Sequence, residues 1–167
     1  MCKRVFAALL LCFAAAASAE QIGFEMITLD WPDGYRAHVG EDRIRMSGPD
    51  GEEVTVLQFS LDDTLTPEEA AAKTDTLRDY AETEMPKSAS EQGATVVREL
   101  KKTDFDERHT LYSMISQRGE HDAQQYLIEY FLVGVRGGAY FSIVGNGDAM
   151  PAIATFDPVF AAVQWKE

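Results

Sequence analysis

The feature that most constrains the fold is a succession of four strand-like segments in the second half of the 167-residue chain. The breaks between them are polar or contain glycine, as is typical of strand connections. The segments span about 94–103, 108–117, 121–134 and 138–145. Consecutive strands joined by short breaks predict an antiparallel sheet.

Tight hairpins at Arg118-Gly119-Glu120 and Arg136-Gly137 would set the register of the last three strands. The facing pairs predicted in this way are Leu111–Ile128, Ser113–Tyr126 and Tyr130–Ile143. One face of the sheet then carries Leu111, Ile115, Tyr126, Ile128, Tyr130, Leu132, Phe141 and Ile143. The other face carries Tyr112, Met114, Leu127, Phe131, Val133, Tyr140 and Val144. Both faces are too apolar to meet water, so each needs a covering layer.

Earlier in the chain, the pattern predicts a strand, a turn and a β-hairpin. Residues 22–29 form an apolar-rich run, which is closed by a turn that includes Pro32-Asp33-Gly34-Tyr35. Residues 43–46 and 54–61 flank a Gly-Pro-Asp-Gly break and predict the hairpin.

A long helix is predicted to start at Thr66-Pro67-Glu68-Glu69. This motif combines an N-cap hydroxyl, a proline at the first helical position and a capping-box glutamate. Pro86 is expected to bend or end the helix, and Gly93 to close the segment. The inner face of the helix is predicted to hold Ala70, Thr74, Leu77 and Ala81.

The second covering layer is predicted at the C-terminus. A helical stretch runs from Met150 to Val163 and is restarted at Asp157-Pro158, which places Val159 and Phe160 toward the sheet, with Trp165 just beyond. The expected fold class is α+β, an antiparallel sheet flanked by helices on both faces in a helix–sheet–helix sandwich.

The N-terminus predicts export. A basic start at Lys3 and Arg4, an apolar run and a small-residue site predict a signal peptide over residues 1–19, cleaved between Ala19 and Glu20. A retained anchor is the alternative, and a lipoprotein would need Cys12, which follows Leu11 instead of a small residue. Cleavage removes both cysteines and leaves one domain, residues 20–167, that must fold without disulfides.

The charge balance restricts the class of partner. The full chain has a formal net charge of −13, and loss of Lys3 and Arg4 takes it to −15. Such a surface repels phosphate backbones and anionic lipid headgroups, and the basic residues look scattered along the sequence. We therefore expect no nucleic-acid partner and no stable membrane insertion after cleavage.

The order of elements resembles the PsbP-like fold, whose superfamily also includes the Ran-binding Mog protein and bacterial DcrB-type proteins. The resemblance rests on the turn and helix motifs above, the hairpin from Tyr126 to Val144, and the ending Phe156-Asp157-Pro158-Val159-Phe160 with Val163 and Trp165. It covers nearly the whole mature chain, although each motif is structural. It implies a non-enzymatic domain that binds, stabilises or chaperones a partner, without saying which partner.

Three histidines could serve a catalytic or metal site: His38, His109 and His121. His109 is expected opposite Tyr130 on the core face, as a structural imidazole and not a general base. Glu120-His121-Asp122 is the one tight cluster of metal-capable side chains. Neighbouring strand residues point to opposite sides, so a solvated hairpin tip is favoured over a metal site.

Other candidates have similarly plain interpretations. Asp62-Asp63 and Glu52-Glu53 are acidic loops without calcium-loop spacing, and Gly134, Gly137 and Gly138 are turn glycines, not a phosphate loop. Tyr112, Phe131 and Tyr140 share one predicted face and could line a ligand groove, although core packing is favoured. No catalytic, cofactor-binding or metal-binding residue is assigned.

The sequence thus predicts an exported, noncatalytic accessory module that binds another exported or envelope protein, without a cofactor. The alternative is a periplasmic enzyme that binds a small ligand or depends on a metal. Two or more titratable groups in one enclosed cleft would favour that alternative.

Overall fold

The computed structural model describes residues 20–24, 26–40, 43–120 and 123–166. The predicted signal peptide, residues 1–19, lies outside the described residues. Ten strands and two helices occur in this part of the chain: β1 Glu20–Gly23, β2 Ile27–Trp31, β3 Arg36–Val39, β4 Ile44–Ser47, β5 Glu53–Ser60, α1 Pro67–Glu91, β6 Thr95–Asp104, β7 Thr110–Arg118, β8 Gln125–Gly134, β9 Gly137–Asn146, α2 Met150–Ala161 and β10 Gln164–Trp165.

Seven of these strands form one antiparallel sheet, in the order β3-β4-β5-β9-β8-β7-β6. The other three form a small sheet, in the order β1-β2-β10. The four strands predicted from the second half of the chain are confirmed as β6 to β9. The α+β class and the large antiparallel sheet are confirmed as well.

Helix α1 covers one face of the large sheet. Its capping box is present, since the Thr66 hydroxyl accepts from the Glu69 N–H at 3.3 Å and the Glu69 carboxylate accepts from the Thr66 N–H at 2.9 Å. Ala81, Met85 and Ala89 pack on the face that holds Tyr112, Met114, Phe131 and Val133. These four sheet residues share one face, as predicted.

Pro86 does not end α1, because the helix continues to Glu91, and a bend at Pro86 stays a prediction. Met85 and Ala89, on either side of Pro86, are 2% and 1% exposed. Their burial against the sheet outweighs the hydrogen bond that the proline cannot donate.

Helix α2 and the small sheet share the other face. Phe156 and Phe160 pack with Trp31 of β2 against Phe141 and Ile143 of the large sheet. The predicted second helix is therefore present, but it forms only part of this layer. The predicted restart at Asp157-Pro158 is wrong, because α2 is a single helix that continues through Pro158. The helix ends at Ala161, two residues before the predicted end at Val163. Residues 164–165 instead pair with β2.

Two predictions about the first half of the chain need correction. Residues 22–29 are not one strand: β1 and β2 form a hairpin, closed by a hydrogen bond from the Phe24 N–H to the Ile27 carbonyl at 2.8 Å. Strand β3 was not predicted at all. Its four residues are all exposed, so no burial alternation marks it.

The predicted register is also wrong. Leu111 faces Leu132, Ser113 faces Tyr130, and Tyr130 faces Phe141. The β7–β8 connection is longer than a tight hairpin, and the β8–β9 turn is Val135-Arg136 between paired glycines. The predicted register is shifted by an even number of residues both between β7 and β8 and between β8 and β9, so every side chain stays on its predicted face.

Candidate functional site

The large sheet extends past the edge of α1. Because α1 packs on β6 to β9, the same face of β3, β4 and β5 lies beside the helix instead of beneath it. We call this surface, formed by the α1-side residues of β3, β4 and β5 together with the exposed Tyr80 of α1, the open face. Cross-strand pairing defines a row across it, in which His38, Arg45, Thr55, Ser142 and Glu129 follow one another on adjacent strands.

Basic side chains converge on the outer part of the open face. Arg36 and His38 lie two residues apart on β3, and Arg45 pairs with His38 on β4. With Arg43 and Gly40, His38 and Arg45 line a shallow depression of about 310 Å³. Within the described residues, the side chains of Arg36, His38 and Arg45 have no hydrogen bond or ion pair. The Arg residues look scattered in the sequence, and only strand pairing brings them together.

The inner part of the open face is aromatic. Phe59 is 39% exposed and Tyr80 of α1 is 52% exposed, and each ring contacts Phe131, with centroids 5.9 Å and 6.3 Å apart. Exposed aromatic rings and a basic cluster on one face of a sheet form a surface suited to binding.

The aromatic residues that the sequence offered as a ligand groove lie under α1. Tyr112 and Phe131 are 0% and 1% exposed, and Tyr140 is half-buried. The Tyr112 hydroxyl donates to the Glu82 carboxylate at 2.9 Å, and Lys102 donates to the same oxygen at 3.2 Å. These bonds hold the pKa of Glu82 below its usual range. Tyr112, Phe131 and Tyr140 are thus core residues, as favoured.

Sequence reasoning missed a buried carboxylate, Glu129, which is 2% exposed on the α1 side of β8. Its Oε1 accepts from the Tyr140 hydroxyl at 2.5 Å, and its Oε2 has no partner among the described residues. Burial raises the pKa of Glu129, and the Tyr140 hydrogen bond only partly opposes that shift. A glutamate at an inward position of an otherwise apolar strand was the available signal.

On the opposite face of the sheet, an ion pair joins α2 to the edge strand β6. The Arg98 guanidinium donates to both carboxylate oxygens of Asp157, at 2.7 Å and 3.0 Å, and the Tyr130 hydroxyl donates to Asp157 at 2.5 Å. Burial raises the pKa of Asp157, but these hydrogen bonds and the charge of Arg98 outweigh it, so the pKa is lowered. The cluster fastens α2 to the sheet.

The prediction that His109 faces Tyr130 is wrong. His109 precedes β7 and stacks on Trp165 of β10, with ring centroids 4.3 Å apart, close to Gly134. Its Nδ1 lies 2.9 Å from the Asp106 carboxylate, and this hydrogen bond is the main reason that the pKa of Asp106 falls to about 2. His109 joins the C-terminal strand to the sheet, which is a structural role as expected.

The remaining candidates do not converge. His121 and Asp122 lie outside the described residues, and Glu120 is exposed. Asp62 accepts hydrogen bonds from Thr64 within its own loop, and Glu52 accepts from the Asp50 N–H. Gly134 and Gly137 face each other across the β8–β9 turn, next to Gly138. The described residues contain no group of three His, Cys, Asp or Glu side chains that could hold a metal.

A small cavity lies at the C-terminal end of α1. Its volume is about 60 Å³, and Gln92, Ser116, Leu127 and Val144 are among its lining residues. The buried Ser116 hydroxyl has no partner in the described part of the chain. The cavity has room for water and is too small for an organic ligand.

Comparison with solved structures identifies the architecture. Cyanobacterial PsbP (CyanoP) from Synechocystis sp. PCC 6803 superposes with a TM-score of 0.58 over 95% of this chain and 99% of that chain, at 13% sequence identity. The chain has a PsbP-like fold. The resemblance stated from the turn, helix and hairpin motifs is thereby confirmed for the fold.

A second solved structure is less similar to this chain. A crystal structure from Bacteroides thetaiotaomicron VPI-5482 matches with a TM-score of 0.49 and 12% identity, over 84% of this chain and 45% of that chain. No family profile matches the sequence, and no curated protein matches it. No helix among the described residues is both long and apolar enough to span a bilayer.

Proposed function

We propose that this PsbP-like chain is an exported, noncatalytic accessory module that binds another exported or envelope protein. The open face is the observation that carries the proposal. It combines exposed basic side chains with the partly exposed rings of Phe59 and Tyr80, as protein-binding surfaces do. Accessory roles are also what the PsbP-like resemblance implies.

Export is the part of the proposal that rests on the sequence of residues 1–19. The intact mass of the protein recovered from its native source tests it. Cleavage between Ala19 and Glu20 gives a mature chain that starts at Glu20. A mass that retains residues 1–19, or a lipid-modified Cys12, would contradict this part.

Partner binding is tested by purifying the tagged protein from its native envelope under mild conditions. We expect one protein to be recovered with it in a constant ratio, and we expect substitution of the exposed Phe59 by serine to weaken that recovery. Phe105→Ser is the matched control, since Phe105 is similarly exposed, at 36%, but lies outside the open face. Recovery of the chain alone, together with turnover of a small substrate, would contradict the accessory role.

A further inference from the structure

Strand β3 is an edge whose backbone groups are available for pairing. It is the outermost strand of the large sheet, and its four residues are exposed. The Gly40 N–H donates to the Arg43 carbonyl at 2.9 Å, so this is a hydrogen-bonded pair of the β3–β4 hairpin. Such pairs alternate with non-hydrogen-bonded ones. The N–H and C=O groups of Ala37 and Val39 therefore point away from β4, and no described strand pairs with them.

The two sides of β3 differ in chemistry. Arg36 and His38 lie on the open face, beside Arg45, whereas Ala37 and Val39 lie on the face of Met46. Val39 is 73% exposed, the largest fraction among the exposed large apolar residues of the described chain. A strand added next to β3 would alternate in the same way. Its residues would meet positive charge on one side and apolar surface on the other.

We infer that the β3 edge binds an extended segment of a partner protein, in which acidic and apolar residues alternate, as an eighth strand of the large sheet. The acidic residues lie opposite Arg36 and His38 of β3, with Arg45 one strand further in, and the apolar residues cover Val39. This inference rests on the proposed accessory function and specifies the surface and the kind of partner.

Charge also distinguishes this partner from a second copy of the chain. Two β3 strands paired edge to edge would place Arg36 of one copy near the arginines of the other, and closely opposed like charges destabilise a sheet. The other edge of the sheet is protected differently. The pairing of β6 with β7 shifts register at Arg98, and Arg98 is itself held by Asp157. Irregular edges of this kind disfavour strand addition.

The test measures binding of the purified protein to a short fluorescent peptide of alternating glutamate and valine by fluorescence anisotropy. A lysine–valine peptide of the same length is the control for charge. Arg36→Gln, on β3 itself, should weaken binding about two- to fivefold, the size of one cross-strand charge pair. Arg118→Gln, at an exposed arginine on the far end of β7, should leave binding unchanged.

Val39→Pro tests the backbone pairing directly. The Val39 N–H points outward, so proline removes a donor to the peptide and none to β4. We expect about five- to tenfold weaker binding, the size of one lost hydrogen bond, together with an unchanged circular dichroism spectrum. Val39→Thr keeps the N–H and the branched shape, and it should bind nearly as wild type.

Several results would overturn the inference. The first is that the lysine–valine peptide binds as tightly as the glutamate–valine peptide, and the second is that Val39→Pro binds the peptide as tightly as the wild type. The third is that the protein binds inorganic phosphate or phosphatidylglycerol vesicles but not the peptide. Recovery of a native partner by Val39→Pro at the wild-type level would leave the accessory function standing and remove this edge as its site. Absence of any partner with the wild-type protein would instead contradict the accessory function itself.

Discussion

Replacement of Phe160 by alanine tests whether α2 belongs to the core. Phe160 is 0% exposed and stacks on Tyr130, with ring centroids 3.9 Å apart and planes 15° from parallel. Phe141 and Trp31 contact the same ring edge-on, at 4.9 Å and 6.1 Å. The ring therefore lies at the point where α2, the small sheet and the large sheet meet.

Two contributions set the expected magnitude. Truncation of a fully buried phenylalanine costs about 3–5 kcal/mol of unfolding free energy, which includes the cavity that remains. Of this, the stacked geometry with Tyr130 contributes about 0.5–1.5 kcal/mol beyond burial. Phe160→Leu keeps most of the volume and loses the stacking, so it should cost only about 1–2 kcal/mol.

Urea unfolding, followed by far-ultraviolet circular dichroism, measures these differences. With a urea dependence of about 2 kcal/mol per molar, Phe160→Ala should lower the midpoint by about 2 M without changing the slope. Phe105→Ala is the matched control, because Phe105 is 36% exposed and should lose about 1 kcal/mol or less. If Phe160→Ala and Phe105→Ala unfolded at the same urea concentration, the packing of α2 would not contribute to the stability of the core.

Two further predictions concern buried or clamped carboxylates. Glu129 binds its proton more tightly when folded, so stability should fall as pH rises from the unfolded pKa to the raised folded pKa. Glu129→Gln should remove this contribution, so the unfolding free energy of the wild type should fall relative to that of Glu129→Gln as pH rises through this range; a difference between the two proteins that does not change with pH would contradict the buried carboxylate. Asp157 has a lowered pKa, so its stabilisation is present above the unfolded pKa and is lost as pH falls through the folded pKa. Asp157→Asn should lose about 1–2 kcal/mol at pH 7, since the Arg98 pair is partly exposed, and should approach wild type as pH falls through the folded pKa of Asp157; a loss that does not change with pH would rule out the ionic contribution.

Local chemistry was enough to predict the elements that have strong local signals. The capping box at Thr66 and Glu69 starts α1 because its two hydrogen bonds join residues three apart, whatever the rest of the chain does. Alternation over β7 to β9 assigned side chains to the correct faces even though the register was wrong. Within one strand, successive side chains point to alternate faces, so a register error of an even number of residues does not change the face. The register itself depends on the length of the turn.

The candidate site was beyond local reasoning, because it depends on strand pairing and on the position of α1 over the sheet. Arg36 and Arg45 look scattered until β3 pairs with β4, and the open face exists only because α1 stops short of those strands. Glu129 is visible in the sequence as a glutamate in an apolar strand. Its burial and its raised pKa arise from its position on the sheet face under α1.

The sequence by itself therefore determined where the long strands and helices start, which faces are apolar, and that two layers must cover the sheet. The tertiary structure alone decided what those layers are: α1 on one face, and α2 with a three-stranded sheet on the other. Strands as short as β3 and β10 have too few residues to show a period of their own. β3 pairs with the adjacent strand β4, but its residues are all exposed and show no alternation of burial. β10 pairs with β2, near the other end of the described chain, and only the folded protein brings these two strands within reach.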